Sequence, residues 1–275
     1  MASSIPKDRT VAALREVWAS TSQLLADLDD GDWDQPSPLP GWDVRDNVSH
    51  MVGTEAMLLG ISNPDVQIDR DGLDHVRNDI GEFNEVWVEH LRGATTTHVR
   101  ELFDDYTTRR LVALDAMSLD DWNAESFTPA GKATFGRFMQ IRVFDCWLHE
   151  QDIRDALGRP GHETGLAVEV TLDEMTTAMG FVVGKRAGVE SGRSVTFALT
   201  DGGTVVRSIH VAVGERAQVV DALDGDATTT LTMPVGVMTR LCAGRSTLDA
   251  LRDRIEVDGD AEVAERVLAN ASYTI

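Results

Sequence analysis

Cysteine is nearly absent: the 275 residues contain only Cys146 and Cys242, far apart in the chain. Disulfides are therefore not what holds the fold, and a reducing compartment fits. Long apolar runs are missing too. No stretch approaches the roughly 20 apolar residues that cross a bilayer, so no membrane segment is expected. The opening MASSIPKDRT has no apolar run behind it. No signal peptide is expected, and the cytoplasm is the default compartment. Positive charge is scarce, with 25 Lys and Arg against 46 Asp and Glu and a formal net charge of −21. An acidic surface argues against nucleic acid and against anionic membranes as partners. Phosphate loops, dinucleotide fingerprints, Gly-x-Ser-x-Gly elbows, repeats and low-complexity tracts are all missing.

What is present is core material. Hydrophobic residues make up 42% of the chain, enough for one large or two ordinary domains. Val11, Leu14, Trp18, Thr21, Leu25 and Leu28 recur at spacings of three and four, which predicts a helix from Arg9 to about Leu28. A second helix is expected from Val44 to about Ile61, with Asp43 as N-cap and Asp46 in its first turn. Ser62 to Gly81 is polar and carries no clear pattern. A third helical region spans Glu82 to Met117, with a possible break near Gly93. The plainest helix is Phe135 to Leu157, stopped by Gly158 with Pro160 beyond.

GRPGHETG, Gly158 to Gly165, is the expected boundary, dividing the chain into residues 1–160 and 161–275. Beyond it Leu166 to Ala187 is expected to be helical. Ser194 to Thr200, Val205 to Val213 and Thr228 to Met233 read as strands, and Gly202-Gly203 suggests a hairpin turn. Pro234 to Cys242 looks helical, Arg254 to Val257 a short strand and Asp260 to Ala271 a closing helix. The fold class is thus α plus α+β: a helical bundle followed by a smaller α+β layer domain.

Projected at about 100° per residue, the fourth helix sets Asp145, His149 and Asp152 within roughly 60° of one another, in a stripe with Phe138, Ile141 and Leu148. Ionisable groups in a core-facing stripe need partners or a metal. Asp145 and His149 are four apart, close enough to reach one ion from one helix or to satisfy each other by a hydrogen bond. Asp152 is expected to be a structural partner, to Arg142 or Arg154. His50 projects away from the main apolar stripe of its helix, beside Asn47 and Thr54. That places it on a solvent face or on a helix buried from two sides, and the pattern leans to the former. Glu55 falls inside the stripe and needs a partner, as a buried salt bridge or as support for a site. His149-Glu150 begins like HExxH, but Ile153 stands where the second histidine belongs. Asp27 to Asp34 fails as an EF-hand, with Gly31 out of place and Pro38 at the glutamate position. Cys146 is expected to be a small packing residue on another face.

LPGWDVRDNVSH (Leu39 to His50) and FDCWLHEQDIRDALGRPG (Phe144 to Gly161) resemble the second- and fourth-helix signatures of the mycothiol-dependent maleylpyruvate isomerase family. The resemblance implies a DinB-like metal-binding four-helix bundle and a C-terminal domain similar to sterol-carrier proteins. It carries over His50, Asp145 and His149 as metal ligands; the isomerase itself usually has Glu where this chain has Asp145. Ala243 to Arg245 matches a Gly-Arg turn of the family, which makes Arg245 the candidate catalytic arginine. The implied cofactor is a divalent metal, with zinc as the plain choice, and the implied co-substrate is mycothiol, a low-molecular-weight thiol. A thiol at such a metal loses its proton readily. The thiolate would then conjugate a small electrophile, or add to its cis double bond, let it rotate and leave. The alternative is a non-catalytic small-molecule or lipid-binding module with a structural His–Asp pair. Acceptor and oligomeric state stay open.

Overall fold

The computed structural model describes residues 5–73, 75–76 and 78–274. They form two compact units, Met1–Thr171 and Leu172–Ile275.

The first unit is built from long helices: α1 (Lys7–Ala26), α2 (Val44–Leu58), α3 (Asp79–Arg92), α4 (Thr96–Ala116) and, after the short α5 (Leu119–Asn123) and a hairpin of β1 (Glu125–Thr128) and β2 (Gly131–Thr134), α6 (Phe135–Leu157). Leu14, Val17 and Leu25 of α1 meet Phe103 of α4 and Val143 and Trp147 of α6 in a closed core. Each fully buried aliphatic side chain contributes about 1.5–3 kcal/mol. Asp43 caps α2 in a reciprocal capping box: its carboxylate accepts from the Asp46 amide, and the Asp46 carboxylate accepts from the Asp43 amide. The region expected from Glu82 to Met117 is two helices: α3 stops at its C-cap Gly93, and Thr95 caps α4 by accepting from the His98 amide. The polar segment Ser62 to Gly81 holds a 3-10 turn, Arg70–Gly72, and the first residues of α3, which starts at Asp79.

Helix α2 is the central element. It packs against α3, α4 and α6, and every residue from Asp46 to Ala56 is buried. Its approach to α3 is close enough that a Cβ on Gly53 would lie 2.6 Å from Trp87.

Helix α7 (Leu166–Phe181) runs through the boundary and widens into a π-turn at Val182–Arg186. The second unit holds a five-stranded sheet in the order β5-β4-β3-β6-β7, formed by β3 (Ser194–Asp201), β4 (Thr204–Val213), β5 (Ala217–Val220), β6 (Thr229–Pro234) and β7 (Glu256–Gly259). Only β3 and β6 run parallel. Gly202 and Gly203 turn β3 into β4 at φ 54° and 83°, the two positive values a tight hairpin needs. Val195, Phe197, Leu199, Ile209, Val211, Leu231 and Met233 alternate onto one buried face. Helices α8 (Val235–Cys242) and α10 (Ala261–Ala269) pack on β6, and a short α9 (Leu248–Leu251) lies between them in sequence. No helix among the described residues is long and apolar enough to cross a membrane.

Candidate metal centre

His50 of α2 and Asp145 and His149 of α6 converge, each offering one donor atom within 4.8 Å of the other two. His50 Nε2 lies 3.3 Å from Asp145 Oδ2, and His149 Nε2 lies 3.5 Å from Asp145 Oδ1. The two imidazole centroids are 4.6 Å apart, edge to face. Ligands held by a tetrahedral ion about 2.1 Å away sit about 3.4 Å from one another, so a small inward shift of donors that lie within 4.8 Å of each other would bring them to one ion. Two neutral nitrogens and one carboxylate are also a donor set that suits zinc and its divalent neighbours.

His50 is buried, so of the two placements open to it the helix buried from two sides is the one observed, and the solvent face towards which the pattern leans is not. An amphipathic stripe marks one buried face, and α2 has no face to spare. Burial lowers the His50 pKa, against the pull of Asp145, and its Nδ1 is buried without a hydrogen-bond partner. Burial would lower His149 as well, but Asp145 and Asp152 outweigh it and hold the imidazole above its usual value. Asp145 shows the opposite balance: burial favours its neutral form, yet Arg142 and the two imidazoles keep it well below the usual carboxylate range. Its side chain remains 30% exposed, so the constellation opens to solvent on this side. The indole of Trp42, 5.4 Å from His50 and 5.8 Å from His149, forms an apolar wall; its Nε1 donates to Glu85.

Glu55, expected to need a partner, has two. Its carboxylate accepts from Arg110 Nε at 3.0 Å and from Arg142 Nη2 at 2.8 Å. Arg142 Nη1 donates in turn to Asp145 Oδ2. Glu55 thus holds the guanidinium that holds Asp145. Asp152 lies with its Oδ2 3.4 Å from His149 Nδ1, a contact with the imidazole that the expected pairing with Arg142 or Arg154 did not include. Cys146 Sγ accepts from Trp18 and Arg142. Burial pushes its thiol up to about 12, which suits a packing residue and not a nucleophile. Arg245 sits in the turn after α8, in the second unit, where its Nη1 donates to the Ala243 carbonyl. Sequence pattern does not single out Trp42, Asn47 or Arg110 as site residues. Asn47 carried a usable signal: a polar side chain three residues before His50 on a helix with apolar neighbours.

Residues 14–154 match the mycothiol maleylpyruvate isomerase N-terminal domain, and residues 169–266 match the C-terminal domain of the same family. A crystal structure of a mycothiol-dependent maleylpyruvate isomerase aligns with 93% of this chain and 95% of its own, at TM-score 0.60 and 16% identity. A histidine-to-alanine mutant of that isomerase aligns over the same shares at TM-score 0.55. These likenesses show a shared fold: a helical region followed by a sheet-containing domain. Among curated proteins no sequence matches significantly. By the two domain matches, the first of which alone spans more than half of its length, the chain belongs to the mycothiol maleylpyruvate isomerase family.

Proposed function

We propose that this protein is a divalent-metal-dependent enzyme that uses mycothiol to conjugate, or to isomerise from cis to trans, a small electrophile. The observation that carries the proposal is the convergence of His50, Asp145 and His149 within 4.8 Å in a domain of this family. A divalent ion held there, zinc being the expected one, supplies a positive charge that stabilises a thiolate at neutral pH.

The residues around it have separable tasks. His50 and His149 present neutral nitrogens, and Asp145 supplies the one carboxylate. Arg142, anchored by Glu55, fixes the rotamer of Asp145. Trp42 keeps water off one side of both imidazoles, and the exposed edge of Asp145 leaves a way in for the thiol. Arg245 is assigned the acceptor's carboxylate, which a guanidinium binds through two parallel hydrogen bonds.

One observation favours a second reading. Asp145 is already charge-paired with Arg142, so the His–Asp cluster has a partner without any metal. The protein would then be a non-catalytic small-molecule or lipid-binding module. Elemental analysis of untagged protein separates the two. The enzyme reading expects about one divalent ion per chain in wild type, lost in both His50→Ala and His149→Ala, together with metal-dependent consumption of mycothiol when an electrophile is supplied. Wild-type protein that neither carries nor takes up a divalent ion sinks it.

A further inference from the structure

We propose that Asn47 is a positioning residue that fixes which nitrogen of His149 faces the site. The inference rests on the metal reading above and concerns a side chain that touches neither thiol nor acceptor.

Asn47 is fully buried on α2. Its Nδ2 donates to the Asp43 carbonyl at 2.7 Å. A carbonyl oxygen only accepts, so the amide group of Asn47 must point there; the flipped amide would set two oxygens against each other. Oδ1 is thereby turned the other way, where it lies 2.9 Å from His149 Nδ1. Oδ1 also only accepts, so Nδ1 must carry the proton. Asp152 Oδ2, at 3.4 Å, offers a second acceptor to the same N–H. The lone pair of the neutral imidazole is left on Nε2, the nitrogen that lies 3.5 Å from Asp145 Oδ1.

The orientation of Asn47 is itself held from the helix end. Asp43 is fixed by its capping box with Asp46, and both carboxylate oxygens of Asp46 accept from Arg92 at 3.1 Å. A line of hydrogen bonds therefore runs from α3 through the first turn of α2 to the ring of His149 on α6. His50 has no counterpart: its Nδ1 is buried and unpartnered. The two imidazoles are unequal, one preset in tautomer and angle and the other free of any such constraint. Partners of this kind behind a ligating histidine raise its basicity and hold its ring.

The test measures zinc affinity by chelator competition, and the electronic spectrum of the cobalt-substituted full-length protein, in wild type, Asn47→Leu, Asn47→Ala and Asn47→Asp. Thermal melts of the metal-free forms accompany both. Losing the acceptor in the leucine and alanine variants is expected to weaken zinc binding by about 10–100-fold and to shift the cobalt bands. The aspartate variant keeps an acceptor toward Nδ1 but sets its other oxygen against the Asp43 carbonyl, and is expected to bind more tightly than the alanine variant and less tightly than wild type. The alanine variant keeps the comparison alive if leucine does not fold. Unchanged affinity in the alanine or leucine variant overturns the inference. So does a cobalt spectrum unshifted in the alanine variant, because the ring of His149 would then be held without Asn47. Failure of wild type itself to bind zinc or cobalt identifies the metal reading as what failed.

Discussion

Replacing Glu55 with alanine is expected to destabilise the helical unit by about 3–5 kcal/mol. Glu55, Arg110 and Arg142 are 1%, 2% and 3% exposed, so the three charges lie out of reach of bulk water. The carboxylate accepts three charged hydrogen bonds: from Arg110 Nε at 3.0 Å, and from Arg142 Nε at 3.1 Å and Nη2 at 2.8 Å. At about 1.5–3 kcal/mol each, their gross value is several kcal/mol, but the triad as a whole gains little because burying it cost comparable desolvation. Truncating Glu55 removes the bonds and leaves the desolvation of two guanidiniums uncompensated. Arg142 keeps Asp145 and Cys146, whereas among the described residues Arg110 keeps a thioether contact with Met139. Removing Arg110 as well, as Arg110→Met with Glu55→Leu, is therefore expected to recover at least about 1 kcal/mol of the loss. Urea unfolding followed by helical circular dichroism measures both. A loss below about 1 kcal/mol in Glu55→Ala would refute the reasoning, since it requires water to reach guanidiniums that the packing seals off.

Two further perturbations probe the frame around the site. His162 bridges Glu150 at 2.7 Å and Glu16 at 3.3 Å; burial alone would lower its pKa, but the two carboxylates raise it above the ordinary 6.5. A raised folded-state value means the clasp is fully present below the ordinary imidazole range and fades as pH rises through the raised value. Unfolding free energies from urea melts at pH 6 and pH 8.5 are expected to differ by about 1 kcal/mol more in wild type than in His162→Gln; equal pH dependence in the two proteins would contradict this. At Gly53, where an added Cβ would meet Trp87 at 2.6 Å, substitution by alanine is expected to cost roughly 1–3 kcal/mol, read as a lowered melting temperature.

The parts of the fold that were legible were those with local chemistry. Asp43 and Asp46 spell an N-cap, Gly158 spells a stop at φ 61°, and two adjacent glycines spell a hairpin. The β1–β2 hairpin was missed because its four-residue strands show no apolar alternation; the largest apolar side chain in it, Phe127, is 73% exposed. In the candidate site, Asp145 and His149 declared themselves by their four-residue spacing on a helix, although α6 is buried on every side from Cys146 to Ile153 and Asp145 itself stays 30% exposed. His50 did not, because burial from several sides leaves no periodic trace. Arg142 was legible only as a cation near other groups; that it spans Glu55 and Asp145 depends on α2 and α6 lying side by side, which no local pattern encodes.

The charge balance of the constellation bears on what it can bind. Glu55 and Asp145 set two carboxylates against the guanidiniums of Arg110 and Arg142, so these four groups balance. Two neutral imidazoles add no charge. A divalent ion in the proposed position would meet one carboxylate and two neutral nitrogens, leaving a single positive charge on the ion and its ligands beside the apolar face of Trp42. A monoanionic sulfur neutralises that charge, whereas a second carboxylate among the ligands would already have done so. The single carboxylate among the proposed ligands, rather than the number of histidines, is therefore the feature that suits this site to a thiolate. Adding a carboxylate at His50, as His50→Glu, should keep the ion but weaken thiol binding, and metal analysis beside thiol titration distinguishes the two losses. Thiol binding undiminished in a metal-loaded His50→Glu protein would show that net charge is not what selects the sulfur.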